Sequence, residues 1–372
     1  MPAFNGQLRS NEIFSALYNM IISQEVFADN LGEHQTLVDK ARVDGGLYGD
    51  TKLYYATDVL KSVPWGNDAE AANLLALHRP EAPECQAIHL DVFRQICLTV
   101  DNYLSKRAWS NEGAFSSFNG VMLGWMRETK RVYDGTLYNV FIGTTQSAEA
   151  KQNIEIPVKG LTDAKEEAMI IAQNLADLLV EMGDYSRDFN DYKNLRSYAK
   201  DGIKVVWNSK FVNKIRKIDL PTIFHKDGLV DKFDEEIMPA RYFGRAVEAS
   251  DIGSGKVIGA DGAYDSTKGI LRAAKEFDYN DVHYFPGDAL ATSGTYVAVV
   301  GGLEIDQVYL EDADVICKVL VKLPPYMSAF EVGTSFFNPK SLTENHYLTF
   351  GHNTLEYLKN YPFITVKAVS AE

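Results

Sequence analysis

Apolar residues recur along this chain with two periods, and the alternation between those periods marks out its elements. After a short polar lead, Ile13, Leu17, Met20, Ile21 and Phe27 follow a helical spacing behind Ser10 as N-cap. Gly45, Gly46 and Gly49 then introduce Leu53, Tyr54, Tyr55, Val59, Val63 and Trp65, an aromatic, glycine-bounded stretch that predicts a long hairpin or extended loop. Residues 86–100, QAIHLDVFRQICLTV, alternate apolar and polar side chains and predict a strand. Two helices follow. In the first, Phe115, Phe118, Met122, Trp125, Thr129 and Val132 form the apolar stripe and Arg127, Glu128, Lys130 and Arg131 fall off it, with an end near Gly143. In the second, expected to be the longer, Ala168, Ile171, Ala172, Leu175, Leu178, Leu179 and Met182 make a near-unbroken stripe. It opens on Asp163 and Glu166, closes at Gly183, and at ~1.5 Å per residue spans ~30 Å.

Beyond Gly202 the elements shorten. Residues 203–209 read as a strand, 211–218 as a short helix, 248–266 as a Gly/Ser/Asp loop, 266–277 as a helix, and 282–286, 295–300 and 315–323 as strands. Pro324 and Pro325 mark a boundary. Past it, FEVGTSFF, HYLTF and PFITVKA are strand-like, with NTLEYLKN a short helical stretch between the last two. The pattern as a whole is an α+β chain of 372 residues, long enough for two or three structural units.

Composition narrows the functional classes. With 46% hydrophobic and 24% charged residues the chain is an ordinary globular one. A balance of 37 basic against 51 acidic residues, −14 net, disfavours a surface that grips phosphate backbone. Cys85, Cys97 and Cys317 lack a CxxC spacing and sit in apolar or strand-like settings, so they are expected to be buried small hydrophobic side chains in a reducing compartment. The N-terminal residues lack a signal-peptide build and no apolar run reaches ~20 residues, so a soluble protein starting near Met1 is expected, with no membrane partner.

Candidate chemistry is sparse. Gly253-Ser254-Gly255-Lys256 resembles a phosphate loop, but Ser250 replaces its first glycine and Val257 follows the lysine, so it reads as a plain loop. Neither GxGxxG nor GxSxG occurs. His346 and His352, six apart, would share a strand face yet lack a third ligand. The acidic groups Asp231, Asp234, Glu235, Glu236 and Glu311, Asp312, Asp314 miss the calcium-loop pattern and read as solvated faces. No catalytic residue, cofactor site or metal site is assigned, and no enzyme is expected.

The order of elements resembles the major capsid protein of tailed bacteriophages, the Hong Kong 97-like fold that encapsulins share. Local strings carry the likeness: DGGLYGDTKLYYATD, RETKRVYDGTLYNVFIG, VVWNSKFVNKIRKIDLPTIFHKDGLVDKF and SLTENHYLTFGHNTLEYLKNYPFITVKA. The resemblance implies an N-terminal arm (1–43), an extended β-hairpin loop (44–85), a peripheral domain (86–202 with 325–372) whose long spine helix is Ala168–Met182, and an axial domain (203–324). It implies a subunit that self-assembles through pentamers and hexamers into an icosahedral shell, with Leu53, Tyr54, Tyr55, Trp65, Ile13 and Leu17 at subunit interfaces. Portal, scaffold or decoration proteins would be partners, and DNA would be enclosed without sequence-specific contact. The place would be the virion, assembled in the host bacterial cytoplasm. An encapsulin-type compartment and an enzyme with a scattered site are the alternatives.

Overall fold

The computed structural model describes residues 36–45, 51–62, 77, 79–101, 112–216, 234–248, 262–263, 270–279, 281–291, 298–299 and 305–371. The predicted helix at Ile13–Phe27, Trp65 and the loop motif at Gly253–Lys256 lie outside them.

A one-turn helix α1 (Leu37–Ala41) leads into β1 (Arg42–Asp44), and the chain then enters the ribbon strands β2 (Lys52–Ala56) and β3 (Glu84–Ile88). One residue past β3, β4 (Leu90–Asp101) begins, and α2 (Glu112–Thr144) follows, then β5 (Asn153–Lys159) and α3 (Ala164–Gly183). The middle of the chain runs through β6 (Lys204–Asn208), α4 (Ser209–Arg216), β7 (Asp234–Met238), β8 (Gly244–Ala246), β9 (Gly262–Ala263) and β10 (Leu271–Ala273). It continues in β11 (Phe277–Tyr279), β12 (Val282–Tyr284), β13 (Ala289–Ala291), β14 (Ala298–Val299), β15 (Val308–Glu311) and β16 (Val315–Leu320). The return tail is β17 (Tyr326–Asn338), β18 (Thr343–Asn353) and β19 (Phe363–Ser370).

Three larger sheets take thirteen of these strands, and β2–β3, β9–β14 and β11–β12 pair off in two-stranded ones. The first, β1-β17-β18-β4, lies against α2. The second, β5-β19-β16-β6-β7, carries α3 on one face, where Ala168, Ile171, Leu175, Leu178, Leu179 and Met182 pack on Ile156, Val205, Val319 and Ile364. Asp163 caps α3 as expected, accepting a hydrogen bond from the Lys165 amide at 2.9 Å. The third sheet, β13-β10-β15-β8, closes a small core of Val247, Leu271, Val308 and Leu310. Strands on both sides of positions 202/203 and 324/325 share the second sheet.

The structure departs from the sequence expectations in five places. The longer helix is the first, 33 residues against 20. The described end of its expected stripe is turned outward: Trp125 and Val132 are exposed, while Met126, Tyr133, Tyr138 and Ile142 are buried together with Lys130 and Asp134. The cause is an ion pair in the buried face, Lys130 Nζ to Asp134 Oδ2 at 3.0 Å, joined by the Tyr326 hydroxyl on Asp134 Oδ1 at 2.6 Å. Where a helix was expected at 266–277, Leu271–Ala273 is a strand. Leu271 and Ala273 point into the core between β13 and β15, and Arg272 reaches Glu311 at 2.7 Å, so tertiary pairing overrides local propensity. The stretch NTLEYLKN (353–360) is not helical either, because other side chains take up its backbone groups: Gln86 accepts from the Lys359 amide and donates to the Tyr357 carbonyl. Of the cysteines, Cys317 is buried, but Cys85 and Cys97 are exposed on the outward positions of their strands. Finally, the acidic groups at 234–236 and 311–314 are paired, with Asp234 on Lys204, Glu236 on Lys40, Asp312 on Lys367 and Asp314 on Lys159.

Candidate assembly surface

The ribbon of β2 and β3 divides its residues by strand alternation. Tyr54 faces Gln86 across the pair and Leu53 faces Ala87, with Tyr55 beside Cys85. The inward set is anchored to the body. Ala56 and Ile88 are buried, Gln86 donates 3.0 Å to the Tyr357 carbonyl, and the Tyr54 ring lies 5.5 Å from the Lys322 ammonium. Lys322 also stands 5.3 Å from the Tyr361 ring, so one cation sits between two aromatics and clips the ribbon to the body. Burial holds the Tyr54 phenol above its ordinary value, with Tyr361 adding to the shift.

Past the ribbon, Asp58 fixes the chain to the loop that follows α3. Its carboxylate accepts from the Leu195 amide at 2.9 Å, the Val59 amide at 2.8 Å and Arg187 at 2.6 Å. The Leu195 amide, then Arg187 and the Val59 amide, hold its pKa down at about 2. Arg196 donates to the Thr57 carbonyl, and Lys61 and Glu81 pair at 2.8 Å across the segment.

With the inward set anchored, the outward set is free. Leu53 is 51% exposed and Tyr55 64%, followed by Leu60 at 78% and Leu77 at 81%. Leu53 and Tyr55, on the same outward face of the anchored ribbon, give it an apolar surface that water solvates poorly. Of the interface residues expected from sequence, the structure places Leu53 and Tyr55 on this surface and Tyr54 on the opposite, inward face. Ile13, Leu17 and Trp65 lie outside the described residues.

The sequence reading did not single out a second surface. On the side of the first sheet away from α2, Phe93, Gln95, Cys97 and Thr99 of β4 lie beside Gly351, Thr349, Tyr347 and Asn345 of β18, and Val332, Thr334 and Phe336 of β17 complete the face. These eleven positions carry no charge in a chain that is 24% charged. Gln95 donates to Thr349 at 2.9 Å and Thr99 to Asn345 at 2.7 Å, so much of its polarity is spent within the face. The alternation of residues 86–100 held the signal, since every second position from Phe93 to Thr99 is uncharged.

Among the described residues, no group of three or more His, Cys, Asp or Glu is placed to hold a metal ion, and no helix is long and apolar enough to cross a membrane. His346 and His352 share a face of β18, but His352 is buried with both nitrogens engaged. Its Nδ1–H donates to the Asn353 carbonyl at 2.9 Å, and its Nε2 accepts from the Tyr133 hydroxyl at 2.8 Å. Burial, first of its causes, holds its pKa below the ordinary imidazole value.

No protein-family model matches the sequence, and no curated protein matches it. The structure does find relatives. A chain in the capsid structure of Staphylococcus phage Andhra aligns with 90% of this chain and 84% of its own length, at a TM-score of 0.56 and 8% identity. A chain in the structure of the head fiber and inner core protein of native bacteriophage P68 aligns with 86% of this chain and 80% of its own, at a TM-score of 0.51 and 10% identity. The chain therefore shares its mixed α+β fold with solved phage capsid structures, the fold that the order of its elements implied.

Proposed function

We propose that this protein is the major capsid subunit of a tailed bacteriophage, self-assembling into an icosahedral shell around double-stranded DNA. The observation that carries the reading is the anchored ribbon with Leu53 and Tyr55 turned outward, on a fold shared with a phage capsid structure over about nine-tenths of the chain. An apolar face held rigidly away from its own body is suited to burial against another copy. In this reading residues 1–43 are the arm and 44–85 the extended loop. Residues 86–202 with 325–372 are the peripheral domain, with α3 as its spine helix, and 203–324 the axial domain, the two sharing the second sheet. Tyr54 serves the interface indirectly, by orienting the ribbon, while Ile13, Leu17 and Trp65 complete the contacts. The encapsulin alternative is less favoured, since the relatives found are phage structures.

The protein would be a virion component assembled in the bacterial cytoplasm, with portal, scaffold or decoration proteins as partners. The acidic balance of −14 fits a wall that encloses DNA without gripping it. A double variant, Leu53→Asp with Tyr55→Asp, tests the reading, because both side chains are exposed and neither supports the fold. Circular dichroism should give wild-type melting, while light scattering and electron microscopy should find the concentration for shell formation raised by ~30-fold or more, the equivalent of ~2 kcal/mol at an interface anchor. Closed shells at the wild-type concentration would remove the ribbon from the interface.

A further inference from the structure

The hairpin of β11 and β12 carries His283 directly opposite Asp278. The imidazole lies between two carboxylates, with Nδ1 2.5 Å from Asp278 Oδ1 and Nε2 2.9 Å from Glu276 Oε1. A carboxylate only accepts, and a neutral imidazole has a single N–H, so both contacts are hydrogen bonds at once only when the ring is protonated. The second oxygen of Glu276 is also engaged: Oε2 pairs with Arg94 Nη2 at 2.8 Å. Arg94 belongs to β4 of the first sheet, and its guanidinium stands 4.9 Å over the Tyr133 ring of α2. The Phe285 ring meets His283 edge-on at 5.0 Å. The titratable and charged groups around the imidazole are thus Asp278 and Glu276 from the hairpin, Arg94 from the sheet and, behind Arg94, Tyr133 from the helix. With His283 protonated, two cations balance two carboxylates; without the proton the cluster carries −1.

We infer that His283 is a proton-operated clasp that closes the β11–β12 hairpin across its strands, from Asp278 to a Glu276 that Arg94 holds on the first sheet. When the proton leaves, a nitrogen lone pair faces a carboxylate oxygen and one contact must open. Asp278, with its side chain 80% exposed, turns to water, whereas Glu276 is largely buried and held by Arg94. The cross-strand side-chain tie of the hairpin is then lost while Glu276 stays on the sheet. The hydrogen bond to Asp278, opposed by burial and aided by Glu276, raises the His283 pKa above its ordinary 6.5. A raised folded-state value means the clasp contributes fully below pH ~6.5 and is lost as pH rises through the raised value.

Two measurements on the full-length protein test this. A titration of ¹³C-labelled histidine followed by NMR, with the His283 signal assigned from its absence in His283→Gln, should give a value above 6.5 that falls in Asp278→Asn. Amide exchange in β11 and β12, corrected for the intrinsic pH dependence, should rise ~2–5-fold across that titration, the range of a partly exposed ion pair, and should be flat with pH in His283→Gln. A His283 value at or below 6.5, or the same corrected pH profile in His283→Gln as in wild type, would overturn the clasp.

Discussion

At the scale of single residues, Lys318 is the least expected feature of the core. It lies on β16, the central strand of the second sheet, and is fully buried without a carboxylate partner. Its Nζ donates to the Thr145 carbonyl at 2.7 Å and to the Thr365 hydroxyl at 2.8 Å. Thr145 follows the last residue of α2, which has no basic residue in its final turn, so Lys318 supplies from a distant strand the donor that the helix end lacks. Burial, with Lys367 adding like-charge repulsion, lowers the Lys318 pKa from 10.5 to about 7. The sign of the consequence follows directly. Between pH ~7 and ~10.5 the unfolded chain holds a proton that the folded one lacks, so this residue makes stability rise with pH across that window. We predict that the stability difference between wild type and Lys318→Met, from urea unfolding, grows in favour of wild type from pH 7 to 10. A difference independent of pH would mean that Lys318 stays charged when folded.

At the scale of elements, the α2 helix shows what could be read in the sequence and what could not. The α3 helix was legible because its buried face is purely apolar from Ala168 to Met182. On α2 the buried face contains Lys130 and Asp134, so the purely apolar spacing that caught the eye, Trp125 and Val132, belongs to the solvent side. Thr129 and Thr136 support that outward face by donating to their own helix carbonyls at 2.9 and 2.8 Å. The ribbon was legible from its glycines and its alternation. Its anchors were not, because Asp58 meets a backbone amide 137 positions away and Gln86 one 273 away, separations at which a linear pattern carries no information. The register of α2 is open to a paired test. Val132→Asp should leave unfolding within ~0.5 kcal/mol of wild type, as an exposed site does. Asp134→Asn should cost ~1–3 kcal/mol, because it removes the buried carboxylate that Lys130 and Arg42 share and leaves Lys130 only the half-exposed Glu331, 3.5 Å away. Reversed magnitudes would turn the helix over.

At the scale of the whole molecule, charge and apolar surface act in opposite directions on association. Each copy carries −14, so copies repel over a range set by salt, ~30 Å at 0.01 M and ~10 Å at 0.1 M. The two surfaces proposed or available for contact are nearly uncharged: the outward ribbon face presents Leu53 and Tyr55, and the sheet positions from Phe93 to Phe336 carry no charged side chain. Burying such surfaces gains from the hydrophobic effect, which moderate salt leaves intact, while the same salt screens the repulsion. We therefore predict that the protein concentration at which light scattering detects assembly falls as NaCl is raised from ~0.01 to ~0.3 M. A threshold that rises with salt would show that intersubunit ion pairs dominate the contacts, and would shift the interface from the ribbon and the neutral sheet face to charged surfaces elsewhere on the subunit.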